Sequence, residues 1–168
     1  MIFFYQIRAQ FIKYNSEFFL IWGKFRKMAR TITFTMIKPD AIADGHAGKI
    51  LQHIEAAGFE IIALKMTRLS LEQAGLFYGT HKGKPFYDKL INFMSSGKIM
   101  AAVLQKEDAV ADFRTLIGNT DPKKADEGTI RKLYASCMET NAVHGSDSDE
   151  NARIEAAFFF SNVEIFEV

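Results

Sequence analysis

From Thr31 onward the chain alternates β-branched, apolar runs with amphipathic stretches at helical spacing. Thr31–Ile37 (TITFTMI) reads as a strand and is stopped by Pro39. Ala47–Ala57 sets Ile50, Leu51, Ile54 and Ala57 on one helical face and ends at Gly58, which predicts a helix. Phe59–Leu69 predicts a second strand. Ser70 then stands as the N-cap of a short helix from Leu71 to about Tyr78, with Gln73 in the capping-box position. Pro85 precedes another short helix, Phe86–Met94.

Lys98–Gln105 (KIMAAVLQ) is the third strand, and Asp108–Ile117 a helix closed by Gly118. Thr120-Asp121-Pro122 is a turn, and Gly128–Tyr134 a short helix. A last helix covers Asp149–Phe160, with Ile154, Ala157 and Phe158 as its apolar side. Val163–Phe166 follows as a final strand or an extended tail. Without its short helices the order is βαββαβ. That predicts an α+β, ferredoxin-like sandwich, an antiparallel sheet covered by helices on one face, with short extra helices added. A length of 168 residues suits one domain with a real core. Fold alone does not assign a function.

Charge changes the picture at one end. Residues 1–27 carry five basic groups against one acid, so the net charge of +1 leaves residues 28–168 at −3. The same 27 residues hold nine aromatics, among them the single tryptophan, Trp22. This divides the chain into an aromatic, basic extension (1–27) and a domain (28–168). The longest apolar run of the extension, Phe18–Trp22, is far too short to span a bilayer. No secretory cleavage pattern follows it. Such a segment could lie on a membrane surface. The plainer expectation is that translation starts at Met28, the upstream residues being a start-site misassignment or a cloning remnant. A single cysteine, Cys137, excludes an internal disulfide and a cysteine-based zinc cluster, and fits a reducing compartment. It reads as a packed thiol.

Candidate chemistry gathers on Asn141-Ala-Val-His-Gly-Ser-Asp-Ser148. His144 stands there among small, turn-forming residues, which suggests an exposed imidazole held from both sides on a polar turn. Such a ring offers one nitrogen lone pair while the other nitrogen can be pinned by an acceptor, the requirement for a nucleophile that accepts a group and passes it on. Neither a P-loop nor a Gly-x-Gly-x-x-Gly turn is present. Isolated cations stand at useful points instead: Lys38 at the end of the first strand before Pro39, Arg114 within the 108–117 helix, and Arg131 early in the 128–134 helix. Guanidinium groups bind phosphate oxygens bidentately, and lysine acts as a movable point charge. His46 and His53 show no such partners, and His53 reads as packing or surface.

Five separated motifs, in order, carry a family resemblance: Thr35-Met-Ile-Lys-Pro-Asp40, Phe77-Tyr-Gly-Thr-His-Lys-Gly-Lys-Pro-Phe86, Phe113-Arg-Thr-Leu-Ile-Gly-Asn-Thr-Asp-Pro122, Gly128-Thr-Ile-Arg131 and the His144 segment. From about Met28 the chain resembles a nucleoside diphosphate kinase. The resemblance implies ping-pong transfer of the γ-phosphate from a nucleoside triphosphate, typically ATP, to a nucleoside diphosphate, maintaining triphosphate pools. His144 would be the transient phosphohistidine, and Glu155 would bond its other ring nitrogen. Lys38, His81, Arg114, Thr120 and Arg131 would meet the phosphates. Tyr78 would hydrogen-bond Lys38, and Ser146 would back the catalytic segment. Phe86 would stack on the base and Asn141 would bond the sugar 3′-hydroxyl. Mg2+ would arrive with the nucleotide, with no protein cage of carboxylates.

The resemblance also implies a cytoplasmic homo-oligomer, a tetramer or a hexamer, with no membrane partner. Where many members carry a basic residue before the glycine matched by Gly45, this chain has Asp44, which bears on loop and subunit contacts. Two rival classes are a non-catalytic relative and a ferredoxin-like nucleic-acid binder. The intact His144, Lys38, Arg114 and Arg131 argue against the first. The net charge of −3 on the domain argues against the second, leaving no obligatory nucleic-acid partner.

Overall fold

A computed structural model describes residues 30–166 of the chain, and the expectations for the extension and for the Met28 boundary lie outside that range. Four strands form one sheet: β1 (Arg30–Ile37), β2 (Glu60–Thr67), β3 (Ile99–Glu107) and β4 (Val143–Gly145), in the order β2-β3-β1-β4. The β2–β3 and β1–β4 pairs are antiparallel. Between them run helices α1 (Pro39–Ala43), α2 (Ala47–Ala56), α3 (Leu71–Phe77), α4 (Tyr87–Ser95), α5 (Ala109–Ile117), α6 (Ile130–Tyr134) and α7 (Asp149–Phe159). The ferredoxin-like α+β architecture therefore holds.

Side chains alternate across a strand, and that alternation builds two cores. Phe34 and Met36 of β1, with Ala101 and Val103 of β3, face one side and pack with α3, α4 and α7. Ile37, Ala102, Leu104 and Val143 face the other, beneath α2 and α5. The two crossover helices thus share one face with α1 and α6, while α3, α4 and α7 cover the opposite one, so helices lie on both faces of the sheet. Strand β2 places Ile62 and Ala63 in the same core although they are consecutive, because the ladder with β3 shifts register between Ile61 and Ala63.

Local signals explain most boundaries. The capping box closes as the sequence implies, with Gln73 N–H donating to Ser70 Oγ at 3.0 Å and Ser70 N–H to Gln73 Oε1 at 2.9 Å. Pro39 does stop β1. It also starts the short helix α1, since a proline at the first helical position loses no hydrogen bond.

Four expectations are corrected. The fourth strand is Val143–Gly145 and not Val163–Phe166. Asn162–Glu164 is a 3-10 turn, after which Phe166 N–H donates to Ile62 O at 2.9 Å and Lys65 pairs with Glu164 at 2.6 Å, so the tail lies along β2. Helix α7 buries Ala152 and Ala156 and leaves Ile154, Ala157 and Phe158 exposed, so its buried side is nearly opposite the expected stripe. Small alanines bring that helix close to the sheet, with Glu155 turned inward. Cys137 is exposed, and the Thr140 hydroxyl at 3.1 Å is its nearest polar partner. Finally, His144 lies on β4 with a side chain only 20% exposed, where an exposed polar turn was expected.

Gly145 shows how tightly β4 is seated. A Cβ there would stand 2.9 Å from the Phe113 ring and 3.0 Å from Ile117 Cδ1. We expect Gly145→Ala to destabilise the protein by about 1–3 kcal/mol through overpacking. Urea unfolding checks this, and an unchanged midpoint would show that α5 yields freely.

Candidate active site

A cavity of about 710 Å3 opens between α4, the end of α5, the segment before β4 and the start of α7. Among the expected residues, Lys38, Tyr78, His81, Phe86, Arg114, Thr120, Arg131, Asn141, His144 and Glu155 all line it. Ser146 lies behind the wall, fully buried.

The imidazole is held from two directions. Register pairs His144 with Met36 on β1, which sends its ring to the same face as Phe34. The rings of Phe34, Phe77 and Tyr78 surround it at centroid distances of 6.1, 5.5 and 6.2 Å. Thr35 Oγ1 donates to His144 O at 2.8 Å, a second tie between β1 and β4. At the ring itself, Nε2 lies 3.0 Å from Glu155 Oε2, and the same oxygen accepts the Ser146 hydroxyl at 2.5 Å. A carboxylate acceptor places the proton on Nε2 and leaves the lone pair on Nδ1. Ser146 in turn accepts from Phe34 N–H at 3.2 Å, which anchors the set to β1. Ser148 caps α7 by accepting from Asn151 N–H at 3.1 Å, and Glu155 follows on the inward face.

The cations are placed by equally specific means. Lys38, almost fully buried at the end of β1, donates to Asn141 Oδ1 at 2.6 Å. Burial, helped by the nearby Arg131, lowers its pKa to about 8, while Asp40 opposes the fall. The Tyr78 hydroxyl is buried without a hydrogen-bond partner, so the expected Tyr78–Lys38 bond is not formed and Asn141 holds the lysine instead. Burial, and secondarily the charge of Glu155, raises the Tyr78 pKa, so that its proton is retained. Arg131 spends its fork on the backbone, with Nη1 donating to Gly118 O at 2.9 Å and Nη2 to Val143 O at 3.1 Å. Burial, then repulsion from Arg114, lowers its pKa to about 10. Gly118 fits that role because its φ is +77° and a Cβ would stand 2.5 Å from Thr129 Oγ1. Arg114 and Thr120 are exposed at the rim.

Three features were not drawn from the sequence. Met138, 56% exposed, lines the same cavity as Phe86, 48% exposed, so a flat group entering there meets two apolar surfaces. Lys89 and Glu139 pair at 3.8 Å on the same rim. Ala142, beside Asn141, is fully buried at a φ of +65°. Left-handed backbone costs a non-glycine residue roughly 1–2 kcal/mol. Nothing in a methionine, an ion pair or an alanine announces such placement, although Asn141-Ala142 at the mouth of β4 is a turn-like dipeptide.

A histidine with one nitrogen held by a carboxylate, inside a cavity lined by cations on an α+β sandwich, is an arrangement suited to anionic groups such as phosphates. Comparison with known proteins gives the particular class. The model of the family described as nucleoside diphosphate kinase matches residues 31–165. The nucleoside diphosphate kinase of Flavobacterium psychrophilum is 56% identical over 139 residues, covering 83% of this chain and all of that one. That of Chlorobaculum tepidum is 57% identical over 136 residues, 81% of this chain and 97% of its own. Among solved structures, the Aquifex aeolicus nucleoside diphosphate kinase superposes with a TM-score of 0.80 at 44% identity, covering 82% of this chain and 99% of that one. A Halobacterium salinarum nucleoside diphosphate kinase in complex with CDP gives 0.78 at 36%, covering 84% and 93%. The chain belongs to the nucleoside diphosphate kinase family.

The depressed Lys38 makes a signed prediction about stability. An unfolded lysine keeps its proton up to its ordinary value of 10.5, whereas the folded one releases it near 8. Between these values the unfolded chain binds more protons, so this group makes stability rise with pH. The stability difference between the parent protein and Lys38→Met should therefore shift in the parent's favour from pH 8 to 10.5 and stay flat below that window. Denaturation at a series of pH values measures it, and a shift of opposite sign would contradict the buried, destabilised ammonium.

Proposed function

We propose that His144 carries the phosphoryl group in this enzyme's transfer of phosphate between nucleoside triphosphates and diphosphates. The observation that carries the reading is the His144–Glu155–Ser146 arrangement, which fixes the Nε2 proton and leaves Nδ1 as the nucleophile. In the first half-reaction the Nδ1 lone pair attacks the γ-phosphorus. The bond from phosphorus to the β-phosphate oxygen breaks, and the nucleoside diphosphate leaves with that electron pair. In the second, a terminal oxygen of another diphosphate attacks the same phosphorus and the P–N bond breaks. Glu155 supports the positive charge that develops on the ring.

Such a transition state spreads charge over the equatorial oxygens, so placed cations and donors supply most of the rate. Lys38, Arg114 and Arg131 provide charge, with His81 and Thr120 as further donors. The Tyr78 hydroxyl, protonated and unpartnered, has a donor to spend there as well. Mg2+ would be held by the nucleotide's phosphates and would supply neutralisation of part of their charge beside Lys38, Arg114 and Arg131. Among the described residues no three His, Cys, Asp or Glu side chains lie together as a metal cage. The base slides between Phe86 and Met138, contacts that read a π face and ignore base edges. The Asn141 amide nitrogen gives one N–H to Thr120 O at 3.5 Å and keeps the other for the sugar 3′-hydroxyl.

We place the reaction in the cytoplasm, where the free thiol of Cys137 suits a reducing compartment. Among the described residues no helix is long and apolar enough to cross a membrane. The protein acts as a homo-oligomer, a reading supported by the exposed Ile154 and Phe158 on α7 and Leu64 and Met66 on β2.

Incubation with γ-labelled ATP and Mg2+ should leave acid-labile label on histidine. His144→Ala should abolish both label and turnover, and transfer retained by that variant would overturn the assignment. Adenine, guanine and pyrimidine diphosphates should all accept the phosphate. Turnover confined to one base would refute a slot that ignores base edges.

A further inference from the structure

Asp40 touches the site without lining its cavity. Its Oδ2 accepts the Ala142 N–H at 3.0 Å, while the Ala142 carbonyl accepts Lys38 N–H at 2.8 Å. Both polar groups of the left-handed residue are thereby tied to residues 38–40. A third tie runs from Lys38 Nζ to Asn141 Oδ1 at 2.6 Å. His144 follows two residues after Ala142, on a strand of only three residues. A buried N–H without an acceptor is costly, and a left-handed peptide persists only where its surroundings over-determine it. We propose that Asp40 is a positioning residue for phosphoryl transfer, whose carboxylate fixes the Ala142 peptide and, through it, the Asn141 carboxamide on Lys38 and the strand that presents His144.

The carboxylate has a second effect, through charge. Lys38 faces Asp40 from α1 and Arg131 from α6, and shares its cavity with Tyr78, Arg114, His144 and Glu155. Burial and Arg131 push its proton off, and Asp40 holds it on. The two effects separate by substitution. Asp40→Asn keeps an oxygen acceptor for Ala142 and loses the charge, whereas Asp40→Ala loses both.

The inference rests on His144 as the phosphoryl carrier, so the full-length parent is measured beside both variants. Asp40→Ala should lower kcat by up to about 100-fold, the loss that a small misplacement of reacting groups can bring. Its KM should change much less. Asp40→Asn should keep kcat near neutral pH within a few-fold of the parent, with the alkaline limb of its pH profile moved to lower pH. A folded Asp40→Ala with a lower melting temperature but the parent's kcat and pH profile would show a merely structural residue and overturn the inference. If Asp40→Ala does not fold, an unmoved alkaline limb in Asp40→Asn overturns it instead. Should the parent itself transfer no phosphate, the reading of His144 fails. The Lys38 titration, followed by NMR of its ε-carbon in parent and Asp40→Asn, then decides for Asp40. A midpoint displaced downward supports the coupling, and an unchanged one removes it.

Discussion

The strand that carries His144 is too short to hold itself, and much of the surrounding molecule serves to hold it. Three residues of β4 make one short ladder with β1. The deficit is covered by side chains from elsewhere. Thr35 ties the His144 carbonyl, Arg131 ties the Val143 carbonyl, and Ser146 joins the far end to β1 and to Glu155. Gly145 lets α5 lie directly on the strand. Several of these groups come from segments that also line the cavity, so the machinery that positions the nucleophile and the machinery that meets the phosphates are largely the same set.

Arg131 makes this economy plain. A residue expected only to meet phosphate spends two of its donors on backbone carbonyls and leaves its buried Nε without a partner. A lysine in that place would offer charge without the planar fork. Lys38 follows the same logic, with its ammonium parked on Asn141 and destabilised by burial. An anion that entered the cavity would relieve that cost.

Strands and crossover helices were legible because periodicity records which side of an element is buried. Ser70-x-x-Gln73 fixed a helix start, and Gly118 a helix end, through local hydrogen bonding that a sequence displays directly. Five motifs then located 13 of the 21 residues that line the cavity, every expected one among them except Glu155. What escaped were features decided by tertiary contact. Val143–Gly145 has the composition of a turn, and becomes a strand because β1 offers it a ladder. The stripe of α7 was misread because Ile154 and Phe158 are large and apolar, yet the sheet accepts the smaller Ala152 and Ala156. Cys137 looked like core and lies outside it. Asn141 took the lysine that Tyr78 was expected to hold, a choice between two neighbours that no spacing encodes.

The carboxyl-terminal tail has a consequence apart from the chemistry. Strand β2 is an edge of the sheet, and an edge strand presents unpaired N–H and C=O groups to any similar chain. Phe166 occupies the Ile62 carbonyl, and Glu164 covers Lys65 farther along. Residues 164–166 therefore shield part of that edge from pairing with a similar chain. Because His144 lies at the other edge of the sheet, loss of these residues would show first at the β2 edge, with the chemistry still intact.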